Sequence, residues 1–444
     1  ENTPTVYLFV SRGNETMLCN QFAQVASREL NSFISPDISS FSNLFETLMG
    51  IGRNMSYNLI IDEFQEFFYI NETVYSQMQD IWDRYKDTTH VNLIASGSVY
   101  TLMHRIFMDY KELVENARKC LGKCHGCPIC NGVACRNTIP GPGAKGVGDT
   151  AIRNYQAWQT VRVVMDTLCE KRETDTRLSL FGHSFAYPFF AGPVGAVAMH
   201  YSDKYNDVTY NAQLVPGCAE SGILAFTGDG MDAEVMRGAT DAIKDCQGVG
   251  IPTVKPWNMQ MIREKMDLVK ASGALAVAMD VDAAGLPFLK KFVPPAGSKS
   301  VEEMKEIIAL TDVPFIVKGI MSVKGAVKAA QAGAAAIVVS NHGGRVLDQS
   351  PATAEVLPEI AAAVGGKVKI FVDGGIRTGV DVFKALALGA DAVLIARPFV
   401  NAVYGGGKEG VRCLVDKLGA ELKDTMEMCG AATLREITGE MIRR

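Results

Sequence analysis

Eight short apolar segments along residues 186–444, most of them separated by helix-like stretches, constrain this chain more than any other feature. They fall at 187–191, 222–226, 251–255, 275–280, 314–318, 336–340, 369–372 and 392–396. Segments this apolar bury both faces, the pattern of a parallel sheet covered by helices. The stretches between them, such as 323–331 and 379–388, are rich in Ala, Val and Lys and suit those helices. Eight such units close into a barrel. The predicted fold class is therefore α/β, with a (β/α)8 TIM barrel over 186–444. Function in this architecture collects at the C-terminal strand ends. Lys255, Asp280, Lys318, Ser340 with His342, Asp373 and Arg397 each lie at or just past one. Residues kept for structure alone would be spread over both ends of the barrel.

Two stretches near the end of this region are distinctive. Ser340-Asn341-His342-Gly343-Gly344-Arg345-Val346-Leu347-Asp348 is similar to the active-site motif of the FMN-dependent 2-hydroxy-acid oxidases and dehydrogenases, the family of glycolate and lactate oxidases. Asp373-Gly374-Gly375-Ile376-Arg377-Thr378-Gly379, continuing to Ala390, resembles that family's flavin-phosphate motif. The resemblance extends more weakly over about residues 140–444. It implies an FMN enzyme that oxidises a 2-hydroxy acid to the 2-oxo acid, with hydride transfer to the flavin.

The roles implied are physically reasonable. Gly374 and Gly375 let the backbone approach a phosphate, and the following helix turns its N–H groups toward it. Arg377 and Arg397 add charge-assisted hydrogen bonds, and Asp373 would hold ribityl hydroxyls. The plain alternative is a glycine turn beside surface arginines. Lys318 would stabilise the negative charge that arrives on the flavin upon reduction. Thr227, Lys255 and Ser340, at the ends of the second, third and sixth strands, complete the flavin contacts. His342 would be the general base, since the reaction needs a group titrating near neutrality. Arg345 would bind the substrate carboxylate, and Asp280 would hydrogen-bond His342.

The chain also departs from the family. Two tyrosines expected near the substrate fall at Ile139 and Trp257, and a glutamine expected beside the flavin falls at Lys255. A second substrate arginine is missing near Pro287, where Lys290 or Lys291 is the available substitute. The connection from Asp280 to Pro314 is short. Flavin binding survives these changes, but glycolate or lactate as substrate is put in question.

Residues 1–107 read as a partial α/β unit with strands near 6–10, 57–62 and 91–95. They carry 12 acidic and 6 basic side chains, against a nearly neutral remainder. Asn58-Leu59-Ile60-Ile61-Asp62-Glu63 resembles a Walker B strand of archaeal-type AAA-like ATPases, and Asn92 to Ser98 resembles the next strand of that family. No glycine-rich phosphate loop occurs anywhere in the chain, so this P-loop-type fragment is expected to be truncated and inactive toward ATP. The chain opens on Glu1, which suggests a missing natural N-terminus, and Met108 marks the seam with a lead-in over 108–185.

That lead-in holds five of the eleven cysteines, Cys120, Cys124, Cys127, Cys130 and Cys135. The last four have spacing that would wrap a tetrahedral zinc ion or a [4Fe–4S] cluster. Reduced thiols or a redox disulfide are the alternative. A cluster would favour an electron acceptor other than O2, whose identity stays open.

Net charge is −5 with no strongly basic run, so nucleic acid is not an expected partner. No apolar run is long enough to span a membrane and no signal peptide opens the chain, which reads as cytoplasmic. Homo-oligomers are common in the family resembled. Two other functions remain open: an FMN-dependent isomerase like type 2 isopentenyl diphosphate isomerase, and a metal- or nucleotide-binding module built from the first 135 residues.

Overall fold

A computed structural model describes residues 3–71, 73–98, 109–290, 293 and 296–444. The chain divides into two compact units, 1–108 and 109–444.

In the larger unit, eight parallel strands form one sheet: Phe189–Ala191, Phe226–Thr227, Ile251–Val254, Val277–Asp280, Phe315–Ile320, Ala336–Val339, Lys369–Val372 and Ala392–Ile395. The first strand pairs with the eighth through Val393 opposite Phe189 and Ile395 opposite Ala191. The sheet closes onto the second strand through a single bridge, Ala191 to Ala225. Nearly all residues of these strands are buried on both faces, as a barrel covered by helices requires. The second strand is the one that differs most from expectation. Residues 222–226 were expected, but Gly222 turns the chain at φ +72 and regular pairing starts only at Phe226. Ile223, Leu224 and Ala225 are still buried, where they complete the seam instead of extending the ladder.

The lead-in belongs to the same compact unit as the barrel. Its helix Tyr110–Cys120 starts at an Asp109 cap, whose carboxylate accepts from the Glu112 N–H at 2.7 Å. This helix lies against the long C-terminal helix Arg397–Met428. Gly405 and Gly410 allow the close approach, because a Cβ at Gly405 would stand 2.2 Å from the Leu113 carbonyl oxygen. Helix Asp149–Thr160 then packs under the phosphate-motif turn, and the Trp158 indole N–H donates to the Gly374 carbonyl at 2.7 Å.

The smaller unit has three parallel strands, Thr5–Phe9, Tyr57–Asp62 and Val91–Ala95, in that spatial order. Val6, Leu8, Leu59 and Ile61 face a core shared with helices Glu15–Leu30 and Phe41–Ile51. Five phenylalanines, Phe22, Phe41, Phe45, Phe64 and Phe67, fill that core, and the Phe41 and Phe67 rings lie 4.5 Å apart. Among the described residues, no helix is long and apolar enough to cross a membrane.

Inside the barrel, Phe226 and Phe371 meet edge to face with ring centroids 6.1 Å apart. Phe371→Ala is expected to cost about 3–5 kcal/mol. Urea unfolding followed by tryptophan fluorescence should show a lower midpoint at an unchanged slope.

Candidate active site

The sixth strand delivers Ser340 to the barrel mouth, and the chain then turns sharply. His342, Gly343 and Gly344 all have positive φ, at 57°, 63° and 79°. A histidine in this region is uncommon and marks a position held by its surroundings. Its backbone N–H donates to Ser340 Oγ at 3.1 Å, and the same oxygen accepts from Lys318 Nζ at 2.9 Å. Lys318 also stands 3.3 Å from Asp373.

The imidazole has an unexpected partner. Nδ1 lies 3.1 Å from Asp282 Oδ1, whereas Nε2 lies 4.0 Å from Asp280 Oδ2. Asp280 was expected to hydrogen-bond this ring. Instead it is 1% exposed and paired with Lys255 at 2.6 Å. Asp282, two residues past the same strand end, stands at hydrogen-bond distance instead, so the feature that singled out Asp280 applied to it as well. Gly319 makes room for Asp282: its φ is +97, and a Cβ there would lie 2.6 Å from the Asp282 side chain.

Burial pushes the His342 pKa down and Asp282 pulls it back up, leaving it below the ordinary histidine value. The ring is therefore neutral at neutral pH. Burial works to raise the Asp282 carboxyl, but His342 and Lys318 outweigh it and hold it low. Lys318 is raised, because Asp373, Asp282 and Asp280 outweigh its burial.

Two of the positions that depart from the family, Lys255 and Trp257, share a second buried network. Asp229 accepts from Lys265 Nζ at 2.6 Å, from the Trp257 indole N–H at 2.7 Å and from the Lys255 backbone N–H at 3.0 Å. Trp257 is thus committed to Asp229, and Lys255 to Asp280. Lys290 is exposed and does not line the cavity; Lys291 lies outside the described residues.

At the phosphate end, Gly374 and Gly375 have φ +87 and +86. A Cβ on Gly375 would lie 2.3 Å from the Asn154 carbonyl oxygen, so only glycine fits against that helix. Arg377 donates to the Cys130 and Ile376 carbonyls at 2.8 and 2.6 Å. Arg397 Nη1 and Asp373 Oδ1 are buried without a hydrogen-bond partner. Leaving such atoms bare is expensive, and a ribityl phosphate would satisfy both. The residues present therefore fit FMN.

Arg345 sits at the other end. Its Nη1 donates to the carbonyls of Gly141 and Gly143 at 2.7 and 2.9 Å, while Nη2 lies 3.4 Å from His200 Nδ1. His200 Nδ1 accepts from the Gly141 N–H at 3.1 Å. Burial and the adjacent Arg345 push its pKa down to about 3, so it stays neutral. Nothing in the sequence reading pointed to His200, which has no motif around it.

One cavity of about 280 Å³ joins these parts. Its wall includes Lys255, Asp280, Lys318, His342, Arg345, Asp373, Gly374, Gly375, Arg377 and Arg397. Ser340 and Thr227 lie behind that wall: Ser340 links Lys318 to the His342 backbone, and Thr227 is fully buried at its strand end.

The cysteines expected to bind metal remain free thiols. Among the described residues, the ligand atoms that converge within 4.8 Å are those of Asp280, Asp282 and His342. Cys124, Cys127, Cys130 and Cys135 are not part of that group. Cys124 and Cys127 are raised mainly by burial and further by neighbouring thiols.

Comparison with known proteins agrees with this geometry. The profile of the FMN-dependent dehydrogenase family matches residues 142–291 and 287–444. A 4-hydroxymandelate oxidase of Amycolatopsis orientalis is 31% identical over 68% of this chain and 93% of its own length. An L-lactate oxidase of Lacticaseibacillus rhamnosus is 31% identical over 65% of this chain and 85% of its own. A solved mandelate oxidase variant with (S)-mandelic acid has a TM-score of 0.62 at 25% identity, covering 76% of this chain and 98% of that one. The chain belongs to the FMN-dependent dehydrogenase family. It is an FMN-dependent oxidoreductase of 2-hydroxy acids.

The Lys255–Asp280 pair is buried, so removing only the cation should be costly. Lys255→Met is expected to destabilise the protein by about 3–5 kcal/mol. Lys255→Met with Asp280→Leu should recover most of that loss, as read by chemical denaturation of the three proteins.

Proposed function

We propose that His342 takes the hydroxyl proton of a 2-hydroxy acid at Nε2, with Asp282 fixing the ring through Nδ1. The 3.1 Å contact between Nδ1 and Asp282 carries this reading. It assigns the ring proton to Nδ1 and leaves the Nε2 lone pair toward the cavity. When Nε2 gains a proton, the imidazolium keeps its bond to Asp282 and faces Asp280 at 4.0 Å. Carboxylates on both sides then stabilise the charge.

Arg345 binds the substrate carboxylate through Nη2, because Nη1 is occupied by Gly141 and Gly143. Neutral His200 stands beside that guanidinium. Lys255 adds little net charge to the substrate site, since Asp280 cancels it. The reading therefore has one cationic carboxylate anchor, and mandelate, the substrate type of the hydroxymandelate and mandelate oxidases, is the first acid to try. FMN supplies the two-electron acceptor, held by Gly374, Gly375, Arg377, Arg397 and Asp373. Lys318, with Asp373 and Ser340 as partners, places a fixed positive charge beside it.

Two further parts of this reading concern the rest of the chain. Cys124, Cys127, Cys130 and Cys135 add a metal-binding capacity. Residues 1–107 resemble a truncated P-loop-type fragment without the phosphate loop; in its described part Asp62, at the end of the middle strand, accepts from Tyr7 and Ser96, and Glu63 accepts from Ser98.

Anaerobic mixing with (S)-mandelate should bleach the flavin bands. Bound flavin that mandelate, lactate and glycolate all leave oxidised would overturn the substrate class. In wild type, kcat/KM should fall on the acid side with a break below pH 6.5, where His342 protonates. Asp282→Asn removes a group that raises the His342 pKa. The break should then move to lower pH while kcat drops about 10²-fold. An unchanged profile would return the orienting role to Asp280.

A further inference from the structure

The stretch 121–148 holds no helix or strand, yet it reaches the active site. Irregular segments of this length inside a compact unit are uncommon unless they serve a function. Its Gly141 and Gly143 carbonyls accept both hydrogen bonds that Arg345 Nη1 donates. A guanidinium is only as well placed as the oxygens that hold it, so these two carbonyls must themselves be fixed.

Glycine permits the tight course of the chain here. A Cβ at Gly141 would lie 2.5 Å from the Thr138 carbonyl oxygen, and one at Gly143 would lie 1.5 Å from that of Cys135. The remaining support comes from the short helix Val197–His200, past the first barrel strand, and the residues after it. Lys123 joins the two segments: its backbone N–H donates to the Tyr201 carbonyl at 2.9 Å, and its Nζ to the Met199 carbonyl at 2.6 Å. Ser202 Oγ donates to the Cys120 carbonyl at 2.7 Å. His200, 6% exposed, makes the contact nearest Arg345. Its Nδ1 accepts from the Gly141 N–H at 3.1 Å. Gly141 is thus clasped at both backbone groups, the N–H by His200 and the carbonyl by Arg345.

The ring also meets the guanidinium directly. Arg345 Nη2 lies 3.4 Å from Nδ1 and 3.5 Å from Nε2. Near-equal distances to both nitrogens set it against the ring as a whole, not on one lone pair. Because Nδ1 accepts from Gly141, the neutral ring carries its proton on Nε2. A protonated ring would lose that acceptor and place a second cation beside Arg345. Burial and Arg345 itself keep the ring neutral, with a pKa of about 3. His200 and Arg345 both line the cavity that holds His342.

We propose that His200 is a positioning residue for substrate binding: by accepting from the Gly141 N–H and bracing the guanidinium, it aims Arg345 Nη2 at the carboxylate of the bound acid. The proposal rests on the reading of Arg345 as the carboxylate anchor. It makes affinity for the acid depend on one acceptor atom, Nδ1, and on no titration of the ring.

The test titrates the full, FMN-loaded chain with benzoylformate, the 2-oxo acid of mandelate, and reads the flavin absorbance. His200→Asn puts an amide oxygen where Nδ1 stands. His200→Gln reaches the place of Nε2 and leaves the Gly141 N–H without its acceptor, and His200→Phe keeps a ring but removes both nitrogens. The Gln and Phe variants should each raise the dissociation constant about tenfold. The KM for (S)-mandelate should rise with it, while kcat changes by less than about threefold. His200→Asn should stay within about threefold of wild type. Melting temperature and FMN content, read on the same samples, separate loss of fold from loss of aim. Gln and Phe variants that bind as tightly as wild type, or an Asn variant as weak as the Gln variant, would overturn the proposal. Arg345→Met tests the reading beneath it. If that variant binds benzoylformate normally, Arg345 is not the anchor and both readings fall. If it alone loses affinity, only the role of His200 is removed.

Discussion

Charge balance at the barrel mouth governs this structure. Asp280, Asp282 and Asp373 are brought by the fourth and seventh strands and the turn after the fourth; Lys255 and Lys318 come from the third and fifth. None of these ions is well exposed, and isolated charges would be intolerable there. They are tolerable because each has an opposite partner: Lys255 with Asp280, Lys318 with Asp373, and Asp282 beside His342. The parallel barrel makes this arrangement available, since it aligns the C-terminal ends of neighbouring strands around one opening. Removing one charge would therefore disturb both the fold and the surroundings of His342.

This dependence also explains how the altered family positions fit together. A lysine on the third strand requires a carboxylate, and Asp280 provides it. With Asp280 occupied, the ring of His342 needs another partner, and Asp282 stands within reach. Trp257 is likewise held by Asp229, which also neutralises Lys265. The departures at Lys255 and Trp257 thus belong to two linked sets, each electrically closed.

The barrel was legible in the sequence because its strands are apolar on both faces and end in chemistry-bearing residues. Observed boundaries mostly differ from the expected ones by a residue or two, as at 336–340 against Ala336–Val339. The second strand was harder, because burial at 223–225 looks the same whether or not the backbone pairs. The glycine turn that we assign to the flavin phosphate stands out for a local reason: paired glycines and an arginine lie next to one another in the chain. His200 and the Gly141 and Gly143 carbonyls were not, since a lone histidine and two backbone oxygens carry no motif. Asp282 rather than the expected Asp280 stands at hydrogen-bond distance from His342, because spacing alone does not distinguish two carboxylates separated by one residue. Only the side-chain directions do.

The space over Gly319 has an evolutionary meaning. A Cβ at 319 would stand 2.6 Å from the Asp282 side chain, so a larger residue there and Asp282 in its present seat exclude each other. A lineage that acquires a larger residue at 319 first would lose the carboxylate's seat before gaining another partner for the histidine. The permissible order is the reverse: transfer the orienting role elsewhere, then fill the gap. By this steric logic, a change at 319 alone would cost the carboxylate its place beside His342.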